Sequence, residues 1–123
     1  MFHFHQKLED NQARKETFAK IYETKFWLGW SGNQESESGP GSTIEATRQI
    51  VTILDSVIDH LKMVLGQEKI SFLDSSCGDM NWMPGFLNNR TDVEFFGYDI
   101  TQTNIEKHKV IFGDKPWTFK VRN

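Results

Sequence analysis

Asp74, Gly78 and Asp99 are the residues of this 123-residue chain whose types and spacing best suit ligand chemistry. Asp74 closes a short apolar run, Ile70 to Leu73, and Asp99 closes a second, Val93 to Tyr98, 25 positions after Asp74. Both runs have the length and apolar richness of buried strands. Ligands of open parallel sheets bind outside the carboxyl ends of the strands, so acids at two neighbouring ends converge on one rim. Gly78, in the turn between them, lets the backbone approach a ligand closely. An acid at the end of the second strand suits two ribose hydroxyls, as in dinucleotide-binding units, where it follows the glycines by about 20 residues.

The turn narrows the choice of nucleotide. FLDSSCGDMNW holds one glycine, whereas a pyrophosphate cradle needs G-x-G-x-x-G so that bare amides face phosphate. NAD, FAD and ATP are demoted on that ground, and a dehydrogenase with them. A ligand with a ribose, no phosphate and a cationic centre that tolerates carboxylates fits better, and S-adenosylmethionine is such a ligand.

The elements that must position these residues alternate. Ile50, Leu54, Val57, Ile58, Leu61, Val64 and Leu65 form one helical stripe, with Gly66 as its stop and Ser42 with Glu45 as an S-x-x-E capping box at its start. After the first strand and the polar turn Ser75 to Asn81, a short helix carries Trp82, Met83, Phe86 and Leu87, with Pro84 in its first turn. A second capping box, Thr103 to Glu106, opens another helix after Asp99, and Trp117 to Val121 reads as a last strand. Strands alternating with helices predict an α/β fold with a parallel sheet and right-handed crossovers.

Upstream, Phe18, Ile21, Tyr22 and Phe26 recur at helical spacing and run into the aromatic cluster Phe26, Trp27, Trp30. Such a stripe is read as packing before ligand stacking. The low-complexity stretch Ser31 to Ser42, SGNQESESGPGS, has two readings. One is a linker with an ordinary helix cap. The other is a loop in which Ser38, Gly39, Gly41 and Ser42 close over a ligand, because glycines before a helix start can present free N–H groups to a carboxylate.

FLDSSCGDMNWM followed by FFGYDI resembles the first two nucleotide-binding motifs of class I S-adenosylmethionine-dependent methyltransferases. The lead-in FAKIYETKFW and ESESGPGSTIEATRQI resembles a subgroup that combines an S-G-x-G-S loop with L-D-x-x-C-G-D-x-x-W, so that the likeness covers about Phe18 to Ile100. It implies a Rossmann-like fold and S-adenosylmethionine as cofactor. It also implies that Asp74, Cys77, Gly78 and Asp79 hold the methionine portion, that Asp99 holds the ribose, and that Tyr98 and Ile100 border the adenine. The commoner pattern places glycines where this chain has Ser76 and Met80. The resembled fold has seven strands, with acceptor-facing residues after the fourth. The expectation is therefore a sheet incomplete on its carboxyl side, with residues 1–42 as a helical arm and loop and 43–123 as a partial cofactor-binding domain. Its first strand is then an open apolar edge, which a fragment, a homo-oligomer covering the edge, or a rearranged short domain would each explain.

Fourteen basic against seventeen acidic residues give a net charge of −3, which argues against a nucleic-acid wrapper. One cysteine, Cys77, excludes an intramolecular disulfide, and no run approaches a membrane span. The start lacks the pattern of a secretory signal, so a cytoplasmic address is expected. His3 and His5 read as a solvated tail and no metal site is expected; Cys77 reads as a filler of a tight turn, Trp82 as a packing anchor. Acids at strand ends also cap helices, which is the structural alternative for Asp74 and Asp99. The function expected is transfer of a methyl group to an acceptor the sequence does not name, by a catalytic group it does not name. The rival is a non-catalytic binding or regulatory module that keeps the fold.

Overall fold

The computed structural model describes the backbone of residues 2–122 and the side chains of residues 9–122. His3 and His5 lie outside the described side chains. Four helices, α1 (Phe2–Thr24), α2 (Ile44–Leu65), α3 (Met83–Leu87) and α4 (Gln102–Ile111), accompany three strands, β1 (Ile70–Asp74), β2 (Val93–Asp99) and β3 (Thr118–Val121). Short 3-10 turns at Trp30–Gly32 and Pro40–Ser42 lie between α1 and α2.

The strands form one parallel sheet in the order β1-β2-β3. Ile70 pairs with Val93 through to Asp74 with Gly97, and Phe96 pairs with Thr118 through to Asp99 with Val121. Parallel neighbours need crossover connections, which α3 and α4 supply. The fold is thus α/β with a parallel sheet, as the alternation of elements predicts, and is compatible with a Rossmann-like unit. No helix among the described residues is long and apolar enough to cross a membrane.

Alternation along β2 buries Val93, Phe95, Gly97 and Asp99. Phe95 is fully enclosed, stacked on Phe72 of β1 and edge-on to Phe119 of β3. Met83, Phe86 and Leu87 of α3, Ile58 of α2 and Ile105 of α4 close the core around it. Such aromatic pairs add to area burial by about 0.5–1.5 kcal/mol each.

Three expectations shift. The N-cap of α2 is Thr43, whose hydroxyl accepts the Ala46 N–H at 3.2 Å, not Ser42, and Glu45 pairs with Arg48. Neighbouring hydroxyl residues are chemically equivalent as caps, so spacing alone does not choose between them. Likewise α4 starts after Thr101 with no side-chain cap, and Thr103 lies within it. The apolar stripe of α2 is only partly covered. Ile58 is buried and Leu54 and Leu61 pack on the core, yet Ile50, Val57, Val64 and Leu65 are exposed, together with Ile53 off the expected stripe. The sheet next to this 22-residue helix is three strands wide, with β1 at its edge paired to β2 alone, and Leu73 there is 53% exposed. Gly66 ends α2 in the left-handed conformation, as its position predicts.

The Ser31–Ser42 stretch is built into the structure. Asn33 and Ser36 are buried, and Asn33 organises the loop: its amide donates to the Trp27 and Ser36 carbonyls at 3.0 and 2.7 Å while its Oδ1 accepts the Glu35 and Ser36 N–H groups. Composition alone reads as a linker; a side chain that replaces backbone partners makes it an ordered turn.

Candidate functional site

β1 and β2 run side by side and in the same direction, so their final residues, Asp74 and Asp99, reach the same end of the sheet. There a cavity of about 430 Å³ opens, with both aspartates in its wall. Its size falls within the range of about 300–1,000 Å³ common to small-molecule sites. The structure brings Ser38, Ser42, Asp74, Cys77, Gly78, Asp79, Asp99 and Ile100 to this one wall. Three expected residues stand outside it: Gly39 is buried against the Trp27 ring, Gly41 is exposed, and Tyr98 faces the Arg122 guanidinium, 5.9 Å from its ring centre.

Asp99 is buried, and each of its carboxylate oxygens accepts one backbone N–H: Oδ2 from Gly78 at 2.9 Å and Oδ1 from Thr101 at 2.8 Å. The second bond fastens the residue before α4, a turn contact and not a helix cap, since α4 has no side-chain cap. A carboxylate has about four lone-pair sites, so two remain for a ligand in the cavity. Among the described residues Asp74 accepts one hydrogen bond, from the Ser76 N–H at 3.3 Å. Burial, and then the nearby Asp99 charge, hold its carboxyl above the ordinary aspartate range, while the Ser76 bond opposes them.

Gly78 adopts φ +56°, and a Cβ there would collide with Ser38 Oγ and crowd the Tyr22 hydroxyl. The glycine is required, but the close approach is by the chain's own loop. Ser38 Oγ lies 2.8 Å from the Tyr22 hydroxyl and accepts the Asp79 N–H at 2.9 Å. Asp79 returns the contact: its Oδ2 accepts the Ser36 hydroxyl at 2.9 Å, the Glu37 N–H at 2.6 Å and, more weakly, the Ser38 N–H at 3.4 Å. The loop therefore closes on the turn. Burial pushes the Tyr22 hydroxyl up to about 12, so it remains protonated.

A carboxylate does meet the start of α2, and it belongs to the chain: Glu35 Oε2 accepts the Ile44 N–H at 2.6 Å and also the Asn81 amide. Cys77 is buried, with its thiol pushed far up by burial and by Asp99 and Asp74, so it carries no thiolate at neutral pH. Among the described residues no group of three His, Cys, Asp or Glu side chains gathers as a metal site.

Several wall residues carry no local signal in the sequence. Phe18, Tyr22 and Trp27 from the arm, and Arg14 and Arg122, also line the cavity. The helical spacing of Phe18 and Tyr22 places them on one face but does not say what the face covers. His108 of α4 is buried beneath the turn and bonds the Gly78 carbonyl at 2.7 Å. Its only trace is a buried face of α4, Asn104, Ile105 and His108, at spacings of one and three residues, in which two of three members are polar.

The arrangement can enclose a small molecule that carries a positive charge. Three aspartates, Asp74, Asp79 and Asp99, share the wall with Arg14 and Arg122 and with the aromatic rings of Phe18, Tyr22, Trp27 and Trp82, and among the described residues no ion pair joins these aspartates to a cationic side chain. Comparison with protein-family models, with curated proteins and with solved structures gives no match.

Proposed function

We propose that the chain is an S-adenosylmethionine-binding domain of the class I methyltransferase type, acting in methyl transfer to an acceptor that remains to be identified. The observation that carries this is the pair Asp74 and Asp99 at the ends of adjacent parallel strands, both in the wall of one cavity and, among the described residues, neither in an ion pair. A ligand that joins a ribose to a sulfonium uses both: hydroxyls for the spare lone pairs of Asp99, positive charge for the field of the aspartates. Aromatic faces add cation–π attraction of about 0.5–2 kcal/mol.

The cofactor, when bound, supplies a methyl group activated for direct displacement. The chain's residues do the rest. Asp99 holds the ribose, Ile100 borders the adenine, and Asp74 with the Cys77–Asp79 turn holds the methionine portion. Ser38 and Ser42 form the loop side of the wall, with Ser38 locked by Asp79 and Tyr22. Methyl transfer asks chiefly for alignment, with a base only where the acceptor must lose a proton.

Calorimetric titration with S-adenosylmethionine and S-adenosylhomocysteine tests the reading on the wild type and on Asp74→Asn, a half-buried position whose change leaves the sheet intact. The expected result is one saturable site in the wild type, and in the variant a loss of affinity larger for the sulfonium than for the neutral thioether. Folded wild-type protein that binds neither ligand would overturn it.

A further inference from the structure

We propose that His108 is a positioning residue of the cavity: its ring holds the Gly78 carbonyl, and so the Gly78–Asp79 peptide, in the orientation at which the adjoining Gly78 N–H meets the Asp99 carboxylate and the turn receives the ligand. This rests on the proposed cofactor reading and adds to it a residue outside the resembled motifs.

Both polar groups of Gly78 are engaged from below. Its N–H donates to Asp99 Oδ2 at 2.9 Å, and its carbonyl meets His108 Nε2 at 2.7 Å. A carbonyl can only accept, so Nε2 carries the proton and Nδ1 is bare. Gly78 sits at φ +56°, where its peptide planes have no regular ladder to hold them. The two bonds supply that restraint. The held carbonyl belongs to the Gly78–Asp79 peptide, whose N–H donates to Ser38 Oγ at 2.9 Å, whereas the N–H on Asp99 belongs to the preceding Cys77–Gly78 peptide. With one plane held by His108 and Ser38 and the other by Asp99, the Gly78 dihedrals that join them are fixed.

The ring is itself immobilised. It is 3% exposed and packs on Phe119 of β3 at 5.2 Å and Phe112 at 6.0 Å between ring centroids. Nδ1 is enclosed and has no hydrogen-bond partner. A buried, one-sided histidine is costly as plain filler, and its one bond goes to the glycine of the candidate site. The charged groups that face it are Asp99 from β2, Asp79 from the turn and Lys107 on its own helix, and Glu35 and Glu37 share a smaller cavity with it. Burial outweighs the aspartates and holds the imidazole below its ordinary value, hence neutral at pH 7. Protonation would add an N–H at Nδ1 that has no acceptor.

The test compares His108→Gln, which carries an amide N–H to the position of Nε2, with His108→Leu, which removes the donor. S-adenosylhomocysteine is titrated calorimetrically into each intact chain at pH 7 and pH 5.5, with circular dichroism confirming the fold. The expected result is affinity within about threefold of wild type for His108→Gln and at least tenfold weaker for His108→Leu. Between the two pH values wild-type affinity should fall more than that of His108→Gln, since the Asp74 contribution is common to both. Undiminished binding by His108→Leu, or equal loss in both variants at pH 7, overturns the positioning role while leaving the cofactor reading intact. If His108→Leu does not fold, an identical pH response in wild type and His108→Gln overturns it. Absence of binding by folded wild type overturns both proposals.

Discussion

Two clusters of aspartates sit at opposite ends of the sheet and are treated in opposite ways. At the amino end of β2, Asp92 is bonded by Lys62 at 2.7 Å and by Arg90 at 3.1 Å, and Arg90 also reaches Asp59 at 2.8 Å. The Lys62 bond holds the Asp92 carboxyl below the ordinary aspartate range, with Arg90 assisting. At the carboxyl end, Asp74, Asp79 and Asp99 take their bonds from backbone N–H groups and hydroxyls, and Asp74 is held above that range. The first cluster ties α2 to the sheet and leaves nothing for a ligand. The second makes no ion pair among the described residues, and on the proposed reading it is the cluster that meets the cofactor's positive charge.

The comparison breaks most visibly at Asp99. Asp99→Ala strands the buried Gly78 and Thr101 N–H groups at about 1–3 kcal/mol each, so chemical denaturation should show a stability loss on the order of 2 to 6 kcal/mol together with lost ligand binding. Gly78→Ala comes next. A side chain at positive φ costs about 1–2 kcal/mol, and the Cβ would drive Ser38 off the turn. Denaturation should report about 1–3 kcal/mol, and limited proteolysis should cut faster within residues 33–42.

Arg90→Ala sharpens the contrast from the other end. Its partners Asp55 and Asp59 lie at the surface, where ion pairs contribute little, so the loss should be about 1.5 kcal/mol, arising mainly from Asp92. Ligand affinity should not change. The smallest effect is one of pH. His108 is depressed in the folded protein, so as pH falls below about 6.5 the unfolded chain takes up the proton first and stability declines. Asp74, raised when folded, works the other way at lower pH, since the folded state protonates first. Thermal unfolding between pH 7.5 and 5.5 should show the decline in wild type and a flatter profile in His108→Gln.

What the sequence discloses follows from the range of the interactions. β1, α3 and β2 are legible because period, apolar length and Pro84 act within a few residues, and the convergence of Asp74 and Asp99 follows from parallel pairing alone. The cap of α2 is displaced because the adjacent Ser42 and Thr43 compete on equal terms, whereas α4 begins at Gln102, ahead of Thr103, without any side-chain cap. The sequence leaves the loop open between a linker and a closing segment because the bonds that order it span long separations: Ser36, Glu37 and Ser38 meet Asp79 more than 40 positions away. His108 and Tyr22 escape for the same reason, each reaching the turn or its loop from a distant helix. The open side of α2 was foreseeable only as an edge of β1, since an apolar stripe does not reveal whether the sheet is wide enough to cover it.

The unbalanced rim is tested most directly by carbon-detected NMR titration of the Asp74 and Asp92 side-chain carboxyls, with and without S-adenosylmethionine. The account predicts Asp74 above and Asp92 below the ordinary aspartate range in the free protein, with the ligand lowering Asp74 and leaving Asp92 unmoved. An Asp74 that titrates as low as Asp92, or that ignores the ligand at saturation, would contradict it.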